Sequence, residues 1–193
     1  MIPTWCRRLI IITIGFPRTT FNTCNLKASA QINPDNSLGV ERSRLNSSVE
    51  RDIIEGGAIP GSNLFHSFTD FNVGTQQQVY FANASGIQNI INRVTGKNSS
   101  QILGTLGVLG NANLFLINSN GIIFGENARL DVGGSFIAST ANSFIFDNGF
   151  NFSTTNPQAP PLLTINVPIG LQFKGANNSG ITVNRYDQYF WFR

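Results

Sequence analysis

Cysteine, histidine and charge are all scarce in this chain of 193 residues. Both cysteines, Cys6 and Cys24, fall in the first 30 residues, so the body needs no disulfide and tolerates an oxidising compartment. The single histidine, His66, excludes a multi-histidine metal site, and no cysteine or carboxylate cluster accompanies it. Its expected place is an ordinary strand position, hydrogen-bonded or exposed. Charged residues make up only 12% of the chain, which argues against disorder and against a helical bundle. No apolar run approaches 18 residues, so no membrane-spanning helix is expected. The formal charge of +3 comes from the leader, where Arg7, Arg8, Arg18 and Lys27 stand without acids. The remaining nine basic side chains face all 10 acids, so the body offers no electrostatic footprint for nucleic acid. Catalytic patterns are missing too: there is no G-x-S-x-G elbow, H-E-x-x-H helix or C-x-x-C pair. Gly96-Lys97-Asn98-Ser99 is not a phosphate loop, because Ile91 stands where the first glycine belongs and no Ser or Thr follows the lysine directly. No enzyme activity, cofactor or metal is therefore expected.

What is abundant is Phe, Ile, Leu, Asn and Gly, arranged in short bursts. Between residues 104 and 148, apolar bursts at 114–117, 122–124, 135–138 and 144–146 alternate with Asn, Gly and Ser clusters. Each burst is too short for a helix and suits a strand. The dividers, such as Asn118-Ser119-Asn120-Gly121 and Asp147-Asn148-Gly149, are turn chemistry. A shift of about 21 residues lays Phe115 on Phe136, Leu116 on Ile137, Asn118 on Ser139 and Asn127 on Asn148. That spacing fits a solenoid of parallel strands, and an ordinary sandwich with Asn-Gly hairpins fits the pattern equally.

Taken in order, residues 1–30 read as a secretory signal peptide. Arg7-Arg8 form its basic region, residues 9–16 its apolar core, and Ala28-Ser29-Ala30 an A-x-A cleavage site before Gln31. Pro34-Asp35-Asn36 is a turn, with Ile32 and Leu38 candidates for a first strand. Residues 53–59 read as strand, turn, strand, and residues 64–71 and 79–82 as further strands. Ile87, Ile90, Ile91 and Val94 fall at helix spacing, but all four are β-branched, so a helical turn and a strand pair both fit. Ala159-Pro160-Pro161 is a stiff bend, and residues 162–167 and 171–173 are strand candidates. The last residues, 184–193, become densely aromatic and make a poor solenoid cap.

Three acids, Glu126, Asp131 and Asp147, are expected in turns near the rungs, and the 21-residue shift lays Glu126 on Asp147. A carbohydrate-cleaving solenoid would use such a pair for calcium or acid–base work; turn acids sitting in solvent are the commoner case.

Four segments in order carry a family resemblance. They are Leu64-Phe65-His66-Ser67-Phe68 with Phe71-Asn72-Val73-Gly74, then residues 94–102, then Leu116-Ile117-Asn118-Ser119-Asn120-Gly121-Ile122, then Gly133-Gly134-Ser135-Phe136. Through them the chain resembles the secretion domain of two-partner secretion exoproteins, the filamentous-haemagglutinin N-terminal domain, in its cyanobacterial form. The resemblance implies an all-β fold: a right-handed parallel β-helix with an N-terminal cap and flanking extra strands. It implies export by the general secretion route, then recognition by an outer-membrane β-barrel transporter bearing POTRA domains, and no enzymatic activity. It also implies that the domain seeds folding of the β-helix as it emerges outside the cell; the chain is expected to be a monomer. The family's N-P-N-G-I motif falls on Asn118, Ser119, Asn120, Gly121 and Ile122, and its N-P-N-L motif loosely on Asn83, Ala84, Ser85 and Gly86. Ser119, Ala84 and Ser99 stand where relatives carry proline, which leaves these turns less preorganised, by about 0.4–1 kcal/mol each.

The expected organisation is a leader at 1–30, a secretion domain at 31–180 and an atypical tail at 181–193. Competing expectations are a free-standing carbohydrate-binding or carbohydrate-cleaving solenoid, and a fragment of a longer adhesin gene interrupted by truncation or frameshift.

Overall fold

The structure is a computed structural model, and it describes residues 31–160, 167–175 and 179–184. The leader with its cleavage site, nearly all of the strand expected at 162–167 and the last nine residues lie outside the described residues. Among the described residues strand accounts for 48% and helix for 2%, so the all-β expectation holds.

The chain opens with β1 (Ile32–Pro34), a 3-10 turn (Gly39–Glu41), β2 (Ser43–Ser47) and β3 (Asp52–Gly56). It then winds through β4 (Asn63–Phe71), β5 (Gln78–Ala82), β6 (Asn89–Val94), β7 (Ser100–Ile102), β8 (Thr105–Leu109), β9 (Asn113–Ile117), β10 (Ile122–Phe124), β11 (Arg129–Asp131) and β12 (Phe136–Ser139). An excursion of β13 (Ser143–Ile145), β14 (Asn151–Ser153) and β15 (Gly170–Gln172) precedes β16 (Ile181–Val183).

Stacking produces a solenoid of about three turns. Its first sheet runs β1-β4-β6-β9-β12, its second β2-β3-β5-β8-β11 and its third β7-β10-β16. Every pairing between successive coils is parallel. The antiparallel pairs β1–β4 and β2–β3 cap the N-terminal end. The antiparallel bridge of Ala58 to Phe65 lies near the same end, and in the excursion β13 sits antiparallel between β14 and β15. The sandwich alternative is thereby set aside, and β16 carries the stack past residue 180.

The central strands β4, β6 and β9 of the first sheet are largely buried on both faces, which is why they carry apolar residues at both parities. All six residues of β6 are buried. Ile90 and Val94 enter the solenoid interior with Leu64, Phe68, Leu106 and Leu114. Ile91 points outward, into a second cluster with Phe65, Phe115, Phe144 and Phe152 beneath the excursion. The helix-like spacing of residues 87–94 is thus a two-faced strand, the state its β-branched residues prefer.

The 21-residue register is corrected by the pairing of β12 on β9. Ile137 lies over Phe115, Ala138 over Leu116 and Ser139 over Ile117, a step of 22 residues. A slip of one residue exchanges the faces of a strand. Phe115 therefore faces outward, edge-on to Phe144 at 5.8 Å, while Phe136 faces inward against Phe124 at 6.0 Å. The two rings do not stack. The coil step is not constant either: it is 26 residues from β4 to β6, 24 from β6 to β9 and 22 from β9 to β12.

An asparagine ladder climbs the entry to the first sheet. Asn89 Nδ2 donates to Asn63 Oδ1 at 2.8 Å, and Asn113 Nδ2 to Asn89 Oδ1 at 2.9 Å. The Ser135 amide then donates to Asn113 Oδ1 at 2.8 Å. Each side-chain oxygen of the ladder accepts from the next coil, from an asparagine amide at the first two steps and from the Ser135 backbone at the last, so the ladder fixes register where apolar packing alone would tolerate slippage.

Candidate functional site

The turn at residues 118–122 connects β9 to β10, at the corner between the first and third sheets. Its chemistry is inward-facing. Asn118 is wholly buried, and Ser119, Gly121 and Ile122 are buried with it. Asn118 Oδ1 accepts from the Asn120 amide at 2.9 Å, closing the turn on itself. Its Nδ2 donates to the Asn98 carbonyl at 3.0 Å and to Ser100 Oγ at 2.9 Å, both in the preceding coil. Asn120 Nδ2 reaches the Gly96 carbonyl at 2.8 Å. From the following coil, the Ser139 carbonyl accepts from the Asn118 amide at 3.0 Å. One asparagine thus ties three successive coils by satisfying backbone groups that a corner leaves unpaired. Gly121 supplies the positive φ, +108°, that the exit to β10 requires. Ser119 accepts from Thr154 Oγ1 at 3.1 Å, so the position that lacks proline is tied to the excursion instead.

The second motif is built differently. Asn83, Ala84, Ser85 and Gly86 join β5 to β6 at the corner between the second and first sheets, and Ala84, Ser85 and Gly86 are exposed. The Ile87 amide donates to the Ala84 carbonyl at 3.2 Å, with Gly86 at φ +86°. The fold does not bring the two motifs to one corner: one is buried and the other faces solvent.

The acids do not assemble. Glu126 lies in the corner before β11, and Asp147 in the turn between β13 and β14; both are exposed. Asp131 accepts from the Tyr80 hydroxyl at 2.8 Å. Among the described residues no group of three or more His, Cys, Asp or Glu side chains is placed to hold a metal ion. Asp147 does not follow Glu126 in the stack, because β13 leaves the coil and pairs antiparallel with β14 and β15; Asp131, expected in a turn, lies in β11.

His66 is fully buried in β4, between Phe68 and Phe81, with Nδ1 2.9 Å from Ser43 Oγ. Burial pulls its pKa down to about 3, so it is neutral at ordinary pH. This is the hydrogen-bonded strand position the sequence suggests.

Sequence reasoning passed over Arg93, the largest of the wholly buried side chains. It projects outward from β6 beneath Phe152, with its guanidinium carbon 4.1 Å from the ring centroid. Burial lowers its pKa to about 10, and the nearby charge of Asp35 opposes that fall. Burial alone would raise the Asp35 carboxyl; hydrogen bonds from Ser37, Thr95 and Ser67 outweigh it and hold the group below its ordinary value. The available signal was an arginine inside the apolar run of residues 89–94, at the outward parity of Ile91.

Comparison with known proteins agrees with this architecture. A heme/hemopexin-binding protein of Haemophilus influenzae is 35% identical over 79 residues, which is 41% of this chain and 8% of that protein. The chain therefore spans only a small part of the relative's length. The TPS secretion domain family matches residues 30–187, from the start of the described cap to beyond β16. This chain belongs to the TPS secretion domain family.

Proposed function

We propose that this domain addresses a two-partner secretion exoprotein to an outer-membrane POTRA-bearing β-barrel transporter, and that it seeds the folding of a β-helix outside the cell. The observation that carries this reading is the end of the stack. β11 and β12 each have a parallel neighbour on one side only, at the last coil of the second and first sheets among the described residues. Leu130 and Ile137, on these strands, are exposed although their partners Leu106 and Phe115 are buried. Such an end is a template whose backbone groups and apolar rows receive one more coil.

The leader at 1–30 would direct export through the general secretion route, with cleavage after Ala30, transit through the periplasm and final location at the cell surface or in the medium. The domain acts as a non-enzymatic monomer in this reading. Heme or hemopexin binding is not carried over, because the match covers 8% of the protein that bears that name.

Within this function the 118–122 turn is structural. Full burial of Asn118 supports that role, since a buried carboxamide offers a partner no surface. The exposed turn at 84–86 is the part of the two motifs that a POTRA domain can reach.

Co-production with and without the transporter tests the reading. The chain should reach the medium only with the transporter, starting at Gln31. Equal release without it would overturn the proposal. One variant separates the roles of Asn118: for Asn118→Ala, thermal stability and binding to the POTRA region are measured together. Both should fall; lost binding at unchanged stability would make Asn118 a contact residue.

A further inference from the structure

The outward face of the first sheet buries a full positive charge beneath the excursion. Arg93 is 0% exposed, and its Nη1 has no hydrogen-bond partner among the described residues. Phe152 of β14 covers the guanidinium. A cation so enclosed is strongly unfavourable unless an opposite charge and hydrogen bonds offset its lost hydration.

The offsetting charge comes from the other end of the domain. Asp35 follows β1 and reaches Arg93 through two hydroxyls. Arg93 Nε donates to Ser67 Oγ at 2.9 Å, and Ser67 Oγ donates to Asp35 Oδ2 at 2.7 Å. Arg93 Nη2 donates to Ser37 Oγ at 2.8 Å, and Ser37 Oγ donates to Asp35 Oδ1. Each hydroxyl has one proton, accepts from the cation and gives to the anion, so the two charges orient both serines. Thr95 Oγ1 adds a further bond to Asp35 Oδ2 at 2.7 Å. Three parts far apart in sequence therefore meet around Arg93: the segment after β1 and the first sheet through the relay, and the excursion through Phe152.

We propose that the Asp35–Arg93 relay is a conformational lock, which lets the excursion sheet of β13, β14 and β15 close over Arg93 only when Asp35 is seated. With Asp35 away, closing Phe152 over the guanidinium would strand a charge; with the excursion open, water solvates it. The order of the chain gives the lock a direction. Asp35 and Ser37 are made first, Arg93 next and Phe152 last, so the state of the N-terminal cap is transmitted to the outward face of the solenoid. This device is independent of which transporter recognises the domain.

Native-state hydrogen exchange on the full chain tests it. The amides of Asn142, Phe146 and Thr154 report the excursion, through bonds to the carbonyls of Gln172, Phe150 and Asn142. Those of Leu103, Thr105 and Gly125 report the solenoid, through bonds to Val73, Gln77 and Ile102. In Asp35→Asn the excursion amides should exchange roughly 100-fold faster or more, and the solenoid amides less than about tenfold faster. Adding Arg93→Met, which fills the space without a charge, should return the excursion to within about tenfold of the unaltered chain. Unchanged excursion protection in Asp35→Asn, equal acceleration of both sets, or a double variant no better protected than Asp35→Asn would each overturn the lock. If Asp35→Asn does not fold, the double variant decides alone: a protected excursion supports the lock, and an unfolded chain overturns it.

Discussion

The hydroxyl of Tyr80 on β5 donates to Oδ2 of Asp131 on β11 at 2.8 Å, across the whole width of the intervening strand. Gly107 lies between them in the same row, paired with Tyr80 on one side and Asp131 on the other. The tyrosine can lie flat only because position 107 has no side chain: a Cβ there would stand 2.5 Å from Tyr80 Cε1 and 2.6 Å from the Asp131 carbonyl oxygen. Gly107→Ala should therefore displace the ring and destabilise the domain by about 1–3 kcal/mol in urea unfolding. The same variant should lower the Tyr80 titration midpoint, which partial burial and the Asp131 carboxylate now hold above the ordinary tyrosine value. A phenol titration unchanged by Gly107→Ala would mean that the ring does not depend on the gap.

Asn118→Ala should cost about 1–3 kcal/mol, because it removes partners from the Asn98 carbonyl, Ser100 Oγ and the Asn120 amide together. Denaturant midpoints at constant m-value are the measurement. A midpoint equal to that of the unaltered chain would show that water replaces the carboxamide without penalty.

Acid should weaken the domain through His66. Its folded pKa of about 3 lies below the unfolded value of 6.5, so the unfolded chain takes up the proton first as pH falls. The stability is fully present above pH 6.5 and declines from there toward pH 3. Between pH 6.5 and 4.5 this single group should remove about 2 kcal/mol. Asp35 acts lower: its depressed pKa gives stability present above the unfolded value and lost as pH falls through the folded one. Comparing the unaltered chain with His66→Leu isolates the upper window, where the variant should show a flatter profile.

Phe65→Ala should be the costliest of the phenylalanine truncations compared here, at roughly 3–5 kcal/mol. Its ring is 0% exposed and lies 4.8 Å from Phe152 and 5.7 Å from Phe146, so it anchors the excursion. Phe136→Ala should cost less, since Phe136 is only half-buried at the edge strand of the first sheet. Equal losses for both variants would point to a strand already covering β12.

Turn chemistry made much of the fold legible. The Asn, Gly and Ser clusters mark true corners, and the bursts at 114–117 and 122–124 are β9 and β10. The division of labour inside the turns was not legible. Among the described residues positive φ falls on glycines and on Gln76, whereas Asn118 works through its side chain. The burst at 144–146 reads like another rung, yet β13 leaves the coil to pair antiparallel, because composition alone carries no strand direction. Phe115 and Phe136 misled the register for a similar reason: phenylalanine is at home in either core, so matching rings says nothing about which face they share. Arg93 was hidden because its partners come from segments far away in sequence.

The shrinking coil has a consequence of its own. Strand partners stay aligned although the path between them loses two residues per turn along the first sheet. Phase is therefore reset at each rung by pairing, and an error of length at one corner does not propagate to the next. A corner of this kind can gain or lose residues during descent without retuning the rest of the stack. Members of such a lineage would then differ most in the lengths of their corners, and any search that assumes a fixed period would lose the beat.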